Sequence, residues 1–333
     1  MKLYHLYVSG ILYGKLNFDT QPVSISKLDF ASGTLGSWEP LSESDNQFYK
    51  NFAKIDFLKL SRQISQYESL LSGTGEISAS LPDGDERYTS EDGSWYLQRD
   101  IKFPNNKLME NGRLLAVCCS AREMISLLVL EGQEDKTVLK LWRKTWPDET
   151  IYGVRQEGTF LVPMRDGVCL STDVYLPEGI TEPVPAVFVR TPYGKEDGRE
   201  IYYRYVQRGY AVVIQDVRGR NQSEGEWLPN YHEVEDGDDT LNWIADQPWS
   251  SGSVGMVGGS YLGYVQWAAA ASGNPHLKAL ISVVCAGSAF IDLPRRGGSF
   301  TSGMLAWAFA VSQKQFHPEL MERDDWEDVL NIR

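Results

Sequence analysis

The sequence predicts an α/β protein in which a small α+β domain precedes a doubly wound, mostly parallel sheet. In the second half of the chain, short and nearly continuous apolar runs alternate with helical patterns, as at residues 184–190 and 211–216. Strands of this composition are typical of parallel sheets that are buried on both faces. The first half has looser alternation, and a short polar stretch with a proline, residues 146–150, lies between the two halves. We therefore predict domains at 1–150 and 151–300.

Composition limits the class of protein. The chain has 333 residues, of which 42% are hydrophobic, so it can bury a large core. Its formal net charge is -13, and no lysine or arginine cluster offers a basic surface, so we predict no nucleic-acid partner. No apolar stretch approaches the ~20 residues that a membrane-spanning helix needs, and the first residues do not resemble a signal peptide. We expect a cytoplasmic protein with no membrane partner.

Residues 1–150 are predicted to form an α+β domain whose role the sequence does not indicate. The predicted elements are strands within 3–18, a helical stretch at 46–71, and short antiparallel strands at 114–117, 125–130 and 137–142. Trp95, Trp142 and Trp146 are assigned to the core, because aromatic residues at strand spacing are usually buried; a ligand surface is the alternative. His5 is predicted to be structural.

The second half is predicted to be a run of strands and helices. Its strands are predicted at 159–163, 168–176, 184–190, 211–216, 254–258 and 279–285, and its helices at 198–208, 233–247 and 261–272. An Asp-Gly pair within residues 164–167 predicts a hairpin between the first two strands. In a sheet of this kind, functional residues collect at the carboxyl ends of the strands, where Tyr193, Asp216 and Ser260 are expected to lie.

One turn carries the strongest indication of chemistry. The stretch Val254 to Gly263 is predicted to run from a buried strand through Gly258, Gly259 and Ser260 straight into a helix. A serine on such a sharp turn needs neighbours without side chains, and the helix N-terminus favours negative charge beside it. In the general G-x-S-x-G motif the second glycine follows sooner than it does here. We predict that Ser260 is a nucleophile; an ordinary tight loop is the alternative.

No metal or cofactor is predicted. The four cysteines lack metal-ligand spacing, and Cys169 and Cys285 fall in apolar runs, so buried thiols are expected. The acidic residues near the start of the helix at 233–247 do not have the spacing of a calcium loop, and acidic side chains interact favourably with a helix N-terminus. These residues are Glu233, Glu235, Asp236, Asp238 and Asp239.

Five stretches together give residues 159 to about 312 a close resemblance to the CocE/NonD family of serine hydrolases, which includes relatives of cocaine esterase and of the X-Pro dipeptidyl-peptidases. These stretches are 162–167, 190–195, 215–219 with 223–227, 236–243 with 247–249, and 258–263. The resemblance implies an α/β-hydrolase fold, with residues 301–333 as the start of a helical cap. It also explains the later glycine, Gly263, which the family places at this position.

The resemblance implies roles for three residues. Ser260 would attack an ester or amide carbonyl and become acylated. The backbone N–H of Tyr261 and the phenol of Tyr193 would form the oxyanion hole. Asp216 and Arg218 are expected to pair with each other and to brace their loop.

The family's triad also needs an acid and then a histidine after the serine, and the strands whose loops would carry them are not found in the sequence. His276 is expected at the opposite edge of the sheet, whereas His232 and His317 are open as minor candidates for the base. We therefore expect the N-terminal part of a larger hydrolase, nearly inactive by itself, with base and acid beyond this chain.

Two functions remain open from the sequence. The first is hydrolysis of small ester, amide or peptide substrates, with a second chain that supplies the other half or with self-association as possible partnerships. The alternative is a degenerate hydrolase fragment that acts as a binding or interaction protein.

Overall fold

The computed structural model describes residues 2–121, 124–147, 150–288, 291–293, 295–296, 299–322 and 324–330. The chain divides into two compact units, Met1–Gly153 and Val154–Arg333, called here the N-terminal unit and the C-terminal unit. Asp148 and Glu149 of the predicted boundary, and residues 331–333 of the predicted cap, lie outside the described residues.

The N-terminal unit is built on an antiparallel sheet of eleven strands. These are β1 (Leu3–Val8), β2 (Ile11–Asn17), β3 (Ser24–Asp29), β4 (Thr34–Leu35), β5 (Glu39–Pro40), β6 (Gly75–Leu81), β7 (Gly84–Ser90), β8 (Trp95–Gln98), β9 (Asn105–Glu110), β10 (Arg113–Ala121) and β11 (Met124–Leu130). Their order is β4-β3-β2-β1-β11-β10-β9-β8-β7-β6, and β5 pairs with β3. The central strands β1 and β11 are buried over nearly their whole length.

The predicted helical stretch at 46–71 forms two helices, α1 (Glu43–Phe52) and α2 (Phe57–Leu70). The carboxylate of Asp56 accepts a hydrogen bond from the backbone N–H of Lys59 and so caps the start of α2. Lys54 has a φ of 60°, which ends the first helix before the second begins. With the sheet, these helices confirm the predicted α+β class.

Two predictions for the N-terminal unit are wrong. Residues 137–142 do not form a strand, because they lead into a helix, α3 (Leu139–Thr145), in which Leu139 is buried and Leu141 is 60% exposed. Leucine, lysine and arginine favour a helix there. The tryptophans are not core residues, since Trp146 is 48% exposed and Trp95 and Trp142 are half-buried. His5 lies in β1 with its Nδ1 atom 3.1 Å from a carboxylate oxygen of Glu134, as a structural role predicts.

The C-terminal unit contains a six-stranded mixed sheet. Its strands are β12 (Val154–Pro163), β13 (Cys169–Pro177), β14 (Val184–Thr191), β15 (Ala211–Asp216), β16 (Ser250–Gly259) and β17 (Leu277–Val283). The helices that follow or separate them are α4 (Glu200–Val206), α5 (Glu233–Ala245) and α6 (Tyr261–Ala271). The remaining strands and α-helices are β18 (Arg295–Arg296), β19 (Ser299–Phe300), α7 (Ser302–Ala310) and α8 (Trp326–Leu330).

The strand order is β12-β13-β15-β14-β16-β17. Strands β15, β14, β16 and β17 run parallel, and β12 and β13 form the predicted antiparallel hairpin at one edge. Helices α5 and α6 pack beside each other against β16, and α4 packs against β13 and β15. This order, with a helix that begins directly after β16, is that of the α/β-hydrolase fold, and it confirms the predicted fold class.

The cysteines are free, but only one of the predicted buried thiols is buried. Cys119 is buried, whereas Cys118, Cys169 and Cys285 are partly exposed. Cys169 begins β13 directly after the hairpin turn, and Cys285 follows the end of β17, so neither lies in the middle of a covered strand. Burial raises the pKa of Cys118 and of Cys119 to about 11.

Across the described residues, every helix is too short or too polar to cross a bilayer.

Candidate active site

The turn between β16 and α6 holds Ser260 in an unusual backbone conformation. Its φ of 58° and ψ of -121° lie outside the regions that residues other than glycine normally adopt. The surrounding chain maintains this conformation, because the Ser260 N–H donates to the Val283 carbonyl at 2.9 Å. The Ser260 side chain is exposed, so its hydroxyl lies at the surface beside the start of the helix.

Two glycines near Ser260 are required because neighbouring side chains leave no room for a Cβ atom at either position. A Cβ atom on Gly258 would lie 2.5 Å from the Cβ of Leu262, and one on Gly263 would lie 2.7 Å from the Cβ of Cys285. Real Cβ atoms do not approach other atoms this closely. The glycines therefore allow the helix to start directly behind the strand, which is how the later Gly263 fits this motif.

Ser260 opens into a cavity of about 100 Å³. Its lining is mostly aromatic and apolar: Tyr193, Asn230, Tyr261, Tyr264, Val284, Ala286, Leu293, Met304 and Trp307. The structure thus places the three residues that the sequence assigned to the site, Ser260, Tyr193 and Tyr261, around one cavity. We call it the Ser260 pocket.

Tyr193 follows the end of β14 and points its phenol at α7. The indole Nε1–H of Trp307 donates to the Tyr193 hydroxyl oxygen at 3.2 Å. The Tyr193 ring packs edge-on against Phe316, with centroids 4.8 Å apart. The contacts hold the phenol at the side of the Ser260 pocket.

Tyr261 is the first residue of α6, and its side-chain hydroxyl makes two hydrogen bonds. The phenol donates to Glu233 Oε1 at 2.6 Å and accepts from the Asn230 N–H at 2.9 Å. Burial and the Glu233 carboxylate raise the pKa of Tyr261 well above its usual value, so it stays protonated. The side chain thereby fixes the backbone of this residue, whose N–H is among the groups that a helix N-terminus leaves without an intrahelical acceptor.

A network of buried charged side chains holds Glu233, the carboxylate that accepts the hydrogen bond from Tyr261. Arg190, whose side chain is fully buried, lies 2.6 Å from a carboxylate oxygen of Glu233 and 3.6 Å from Asp236. Arg190 also donates through Nε to Gln215 at 3.0 Å. The network joins β14, β15 and α5 under the site, and sequence reasoning did not identify it. The signal was the group of acidic residues at the start of α5, which was assigned to the helix dipole alone.

The predicted pair of Asp216 and Arg218 is wrong. Asp216 accepts from the Lys195 N–H at 2.9 Å and from the Asn221 side chain at 3.0 Å, and its burial raises its pKa to about 6. Arg218 instead donates to Asp236 at 2.6 Å and to Asp166 at 2.7 Å. The chain turns after β15, so the Asp216 and Arg218 side chains point to different partners. Each of them nevertheless connects the loop after β15 to a neighbouring segment.

Among the described residues, no histidine lines the Ser260 pocket. His276 lies at the amino-terminal end of the sheet, with its Nδ1 atom 2.9 Å from the Gly252 carbonyl oxygen, as predicted. His317 has its Nδ1 atom 2.8 Å from a carboxylate oxygen of Glu319. His232 precedes α5 and packs edge-on against Tyr231, with ring centroids 4.8 Å apart.

We expect His232→Ala and His317→Ala each to change the rate at which Ser260 reacts with a fluorophosphonate by less than about twofold. Neither imidazole lines the Ser260 pocket. Loss of a true general base would instead lower this rate by about 100-fold or more. Labelling rates from intact-protein mass spectrometry check this. A loss of that larger size in either variant would identify the base within this chain.

Comparison with known proteins places these features in a family. The family model "X-Pro dipeptidyl-peptidase (S15 family)" matches residues 166–331, which include the Ser260 turn. This part of the chain belongs to the S15 family. We call residues 166–331 the S15 segment.

The chain resembles several known proteins. The chain is 49% identical over 126 residues to cocaine esterase from Rhodococcus sp. (strain MB1 Bresler), covering 36% of this chain and 22% of that protein. It is 24% identical over 263 residues to a putative Xaa-Pro dipeptidyl-peptidase from Bacillus anthracis, covering 69% and 41%. A CocE/NonD family hydrolase from Staphylococcus aureus has 28% identity and a TM-score of 0.43, covering 47% and 32%.

The chain spans about a fifth of the length of cocaine esterase and 41% of the length of the Bacillus anthracis protein. Membership of the family is confirmed for the S15 segment, as the sequence motifs predicted.

Proposed function

We propose that the S15 segment carries the nucleophile and oxyanion hole of a serine hydrolase that cleaves ester or amide bonds through an acyl-Ser260 intermediate. The observation that carries this proposal is the positive φ of Ser260 at the strand-to-helix turn, which presents an exposed hydroxyl to a pocket that Tyr193 also lines. Strained backbone at such a position is a mark of functional sites.

The chemistry follows from the positions of the groups. The Ser260 oxygen forms a bond to the carbonyl carbon and gives its proton to a base, while the carbonyl oxygen becomes negative. The Tyr261 N–H and the Tyr193 hydroxyl donate to this oxygen. The leaving group then departs with a proton, and water hydrolyses the acyl-serine. The names of the relatives suggest small esters or peptides with proline as substrates.

The base and its acid partner are proposed to come from polypeptide other than residues 1–333. The absence of a described histidine from the Ser260 pocket supports this. So does the edge of the sheet beside the pocket, because β17 pairs only with β16 among the described strands. Ile281 in β17 is half exposed, and Val284 directly after it is 85% exposed. Such an edge favours pairing with a further strand.

We expect imidazole added to the full chain to raise the rate at which a fluorophosphonate labels Ser260 by about tenfold or more, because it substitutes for the missing base. Peptide mapping by mass spectrometry measures the rate and the site. Ser251→Ala, which removes an exposed serine of the same strand, is the matched control and should behave as the wild type. Labelling independent of imidazole would contradict the proposed source of the base, and no labelling of Ser260 would favour a binding protein without catalysis.

We expect Tyr193→Phe to slow the imidazole-dependent labelling of Ser260 by about 100-fold, since one donor to the developing oxyanion is removed. Trp307→Phe, which removes the hydrogen bond to the phenol and shortens a ring that lines the pocket, should have a smaller effect of about tenfold or less. The same labelling assay measures both. Equal rates for Tyr193→Phe and the wild type would exclude the phenol from the oxyanion hole.

A further inference from the structure

The N-terminal unit contains a second cavity, of about 360 Å³, between α2 and the strands β7 to β10. Its size lies in the range of ligand pockets, and every residue that lines it belongs to Met1–Gly153. Part of its wall is apolar, formed by Ile55, Leu60, Ile101, Phe103 and Val117. We call it the lysine cavity, for the reason that follows.

The charges that line the lysine cavity are mainly positive. The lysines are Lys50, Lys54, Lys59, Lys102 and Lys107, and the carboxylates are Asp56 and Glu86. This excess is local, because the whole chain carries a formal net charge of -13. Asp56 is already engaged as the cap of α2 and with Lys50 at 3.3 Å. The cavity therefore combines apolar walls with more lysines than carboxylates, as expected for the recognition of an anion.

Lys107 is the most enclosed of these lysines, with a side chain only 2% exposed. Its ammonium group donates to the Tyr88 hydroxyl at 2.5 Å and to the Asn105 carbonyl at 3.1 Å, and it lies 4.1 Å from the centroid of the Tyr67 ring. The nearest carboxylate, Glu86, is 3.8 Å away.

Glu86 is shared among several donors, so it compensates Lys107 only in part. It also accepts from Lys59 at 3.1 Å, from Tyr67 at 3.1 Å and from Tyr88 at 2.5 Å. Burial lowers the pKa of Lys107 to about 7 in spite of this carboxylate. A further negative charge in the cavity would stabilise the protonated amine.

We propose that the lysine cavity is a binding site for a small organic carboxylate with an apolar body. The carboxylate interacts with the ammonium groups that line the cavity, with Lys107 as the buried one. The apolar body packs on Phe103 and the aliphatic wall. Lys54 and Lys102 lie 5.2 and 5.5 Å from the centroid of the Phe103 ring, so apolar and positive surfaces are adjacent at that wall.

The proposal implies a pH dependence. Lys107 is faced by Glu86 and Tyr88 from β7 and by Lys59 and Tyr67 from α2. Of these, Lys107 is the group that loses its charge near neutral pH, because its pKa is about 7. The carboxylate needs the protonated amine, so affinity should be greatest below pH 7 and fall by up to about tenfold per pH unit above it.

The test is a two-dimensional NMR titration of the isotopically labelled full chain with benzoate, benzyl alcohol and inorganic phosphate. We expect benzoate to shift the amide signals of residues around the cavity, and to bind at least about tenfold more tightly than the neutral alcohol or the phosphate. Equal affinity for benzyl alcohol would overturn the role of charge, and equal affinity for phosphate would overturn the role of the apolar wall. An absence of shifts around the cavity would overturn the site itself.

Variants of the lysines that line the cavity test where benzoate binds. Lys107→Met should weaken benzoate binding about tenfold or more and remove the pH dependence, and Lys102→Gln should weaken it severalfold. Lys136→Gln, which removes a surface lysine paired with Glu110, is the control and should leave affinity unchanged. If Lys107→Met does not fold, the double variant in which Lys59 and Lys102 are replaced by glutamine tests the proposal instead, and its affinity for benzoate should be reduced. Unchanged affinity in the cavity variants would refute the proposal.

Discussion

Replacing Ser260 with alanine is expected to lower the imidazole-dependent rate at which the full chain hydrolyses 4-nitrophenyl acetate, corrected for free imidazole, by about 1,000-fold or more. The alanine retains the pocket and the oxyanion donors but removes the oxygen that takes up the acyl group. The release of 4-nitrophenolate, followed by absorbance, measures the rate. The rate of free imidazole at the same concentration is subtracted.

The control for this prediction is again Ser251→Ala, which should retain the wild-type rate. Circular dichroism of Ser260→Ala should match the wild type. If Ser260→Ala hydrolyses the ester as fast as the wild type, the reaction occurs elsewhere on the protein, and the assignment of Ser260 is wrong.

Replacing Arg190 with methionine is expected to lower the free energy of unfolding of the C-terminal unit by about 3–5 kcal/mol. Arg190 is fully buried, and its removal leaves the buried Glu233 carboxylate without its cation, while Asp236 keeps its ion pair with Arg218. Because Glu233 also accepts from Tyr261, the variant should also slow the labelling of Ser260. Urea unfolding followed by tryptophan fluorescence measures the stability.

Arg165→Met is the matched control, since Arg165 also pairs with two carboxylates, Asp238 and Asp239, but is 51% exposed. Its loss should cost less than about 1 kcal/mol, because water screens exposed ion pairs. If Arg190→Met does not accumulate as folded protein, Arg190→Lys, which keeps the charge, should fold with an intermediate loss. A cost for Arg190→Met as small as that of Arg165→Met would show that the network does not support the site.

Strands β13, β14 and β15 of the C-terminal unit were predictable because they are buried over nearly their whole length. Ala211–Asp216, predicted from a nearly continuous apolar run, is a strand with the same bounds and is buried at every position. The Asp-Gly turn that precedes Cys169 specified its hairpin in the same direct way. The position of Ser260 followed from glycines that the close approach of strand and helix requires.

Other features depend on contacts between distant segments, which a local pattern does not contain. The strands β6 to β9 were not predicted, since their side chains are largely polar or exposed. Residues 137–142 alternate like a strand, yet no neighbouring strand covers Leu141. The partners of Arg218 come from the hairpin and from α5, and sequence proximity to Asp216 suggested the wrong one. The buried contact between Glu233 and Tyr261 likewise joins residues from two helices.

The central claim is that the Ser260 hydroxyl takes up an acyl group, and the most direct measurement is the mass of the protein shortly after mixing with 4-nitrophenyl acetate and imidazole. The account predicts one added acetyl group, located by fragmentation on the peptide that contains Ser260 and absent from Ser260→Ala. An acetyl group found only on other residues, or found equally in Ser260→Ala, would contradict it.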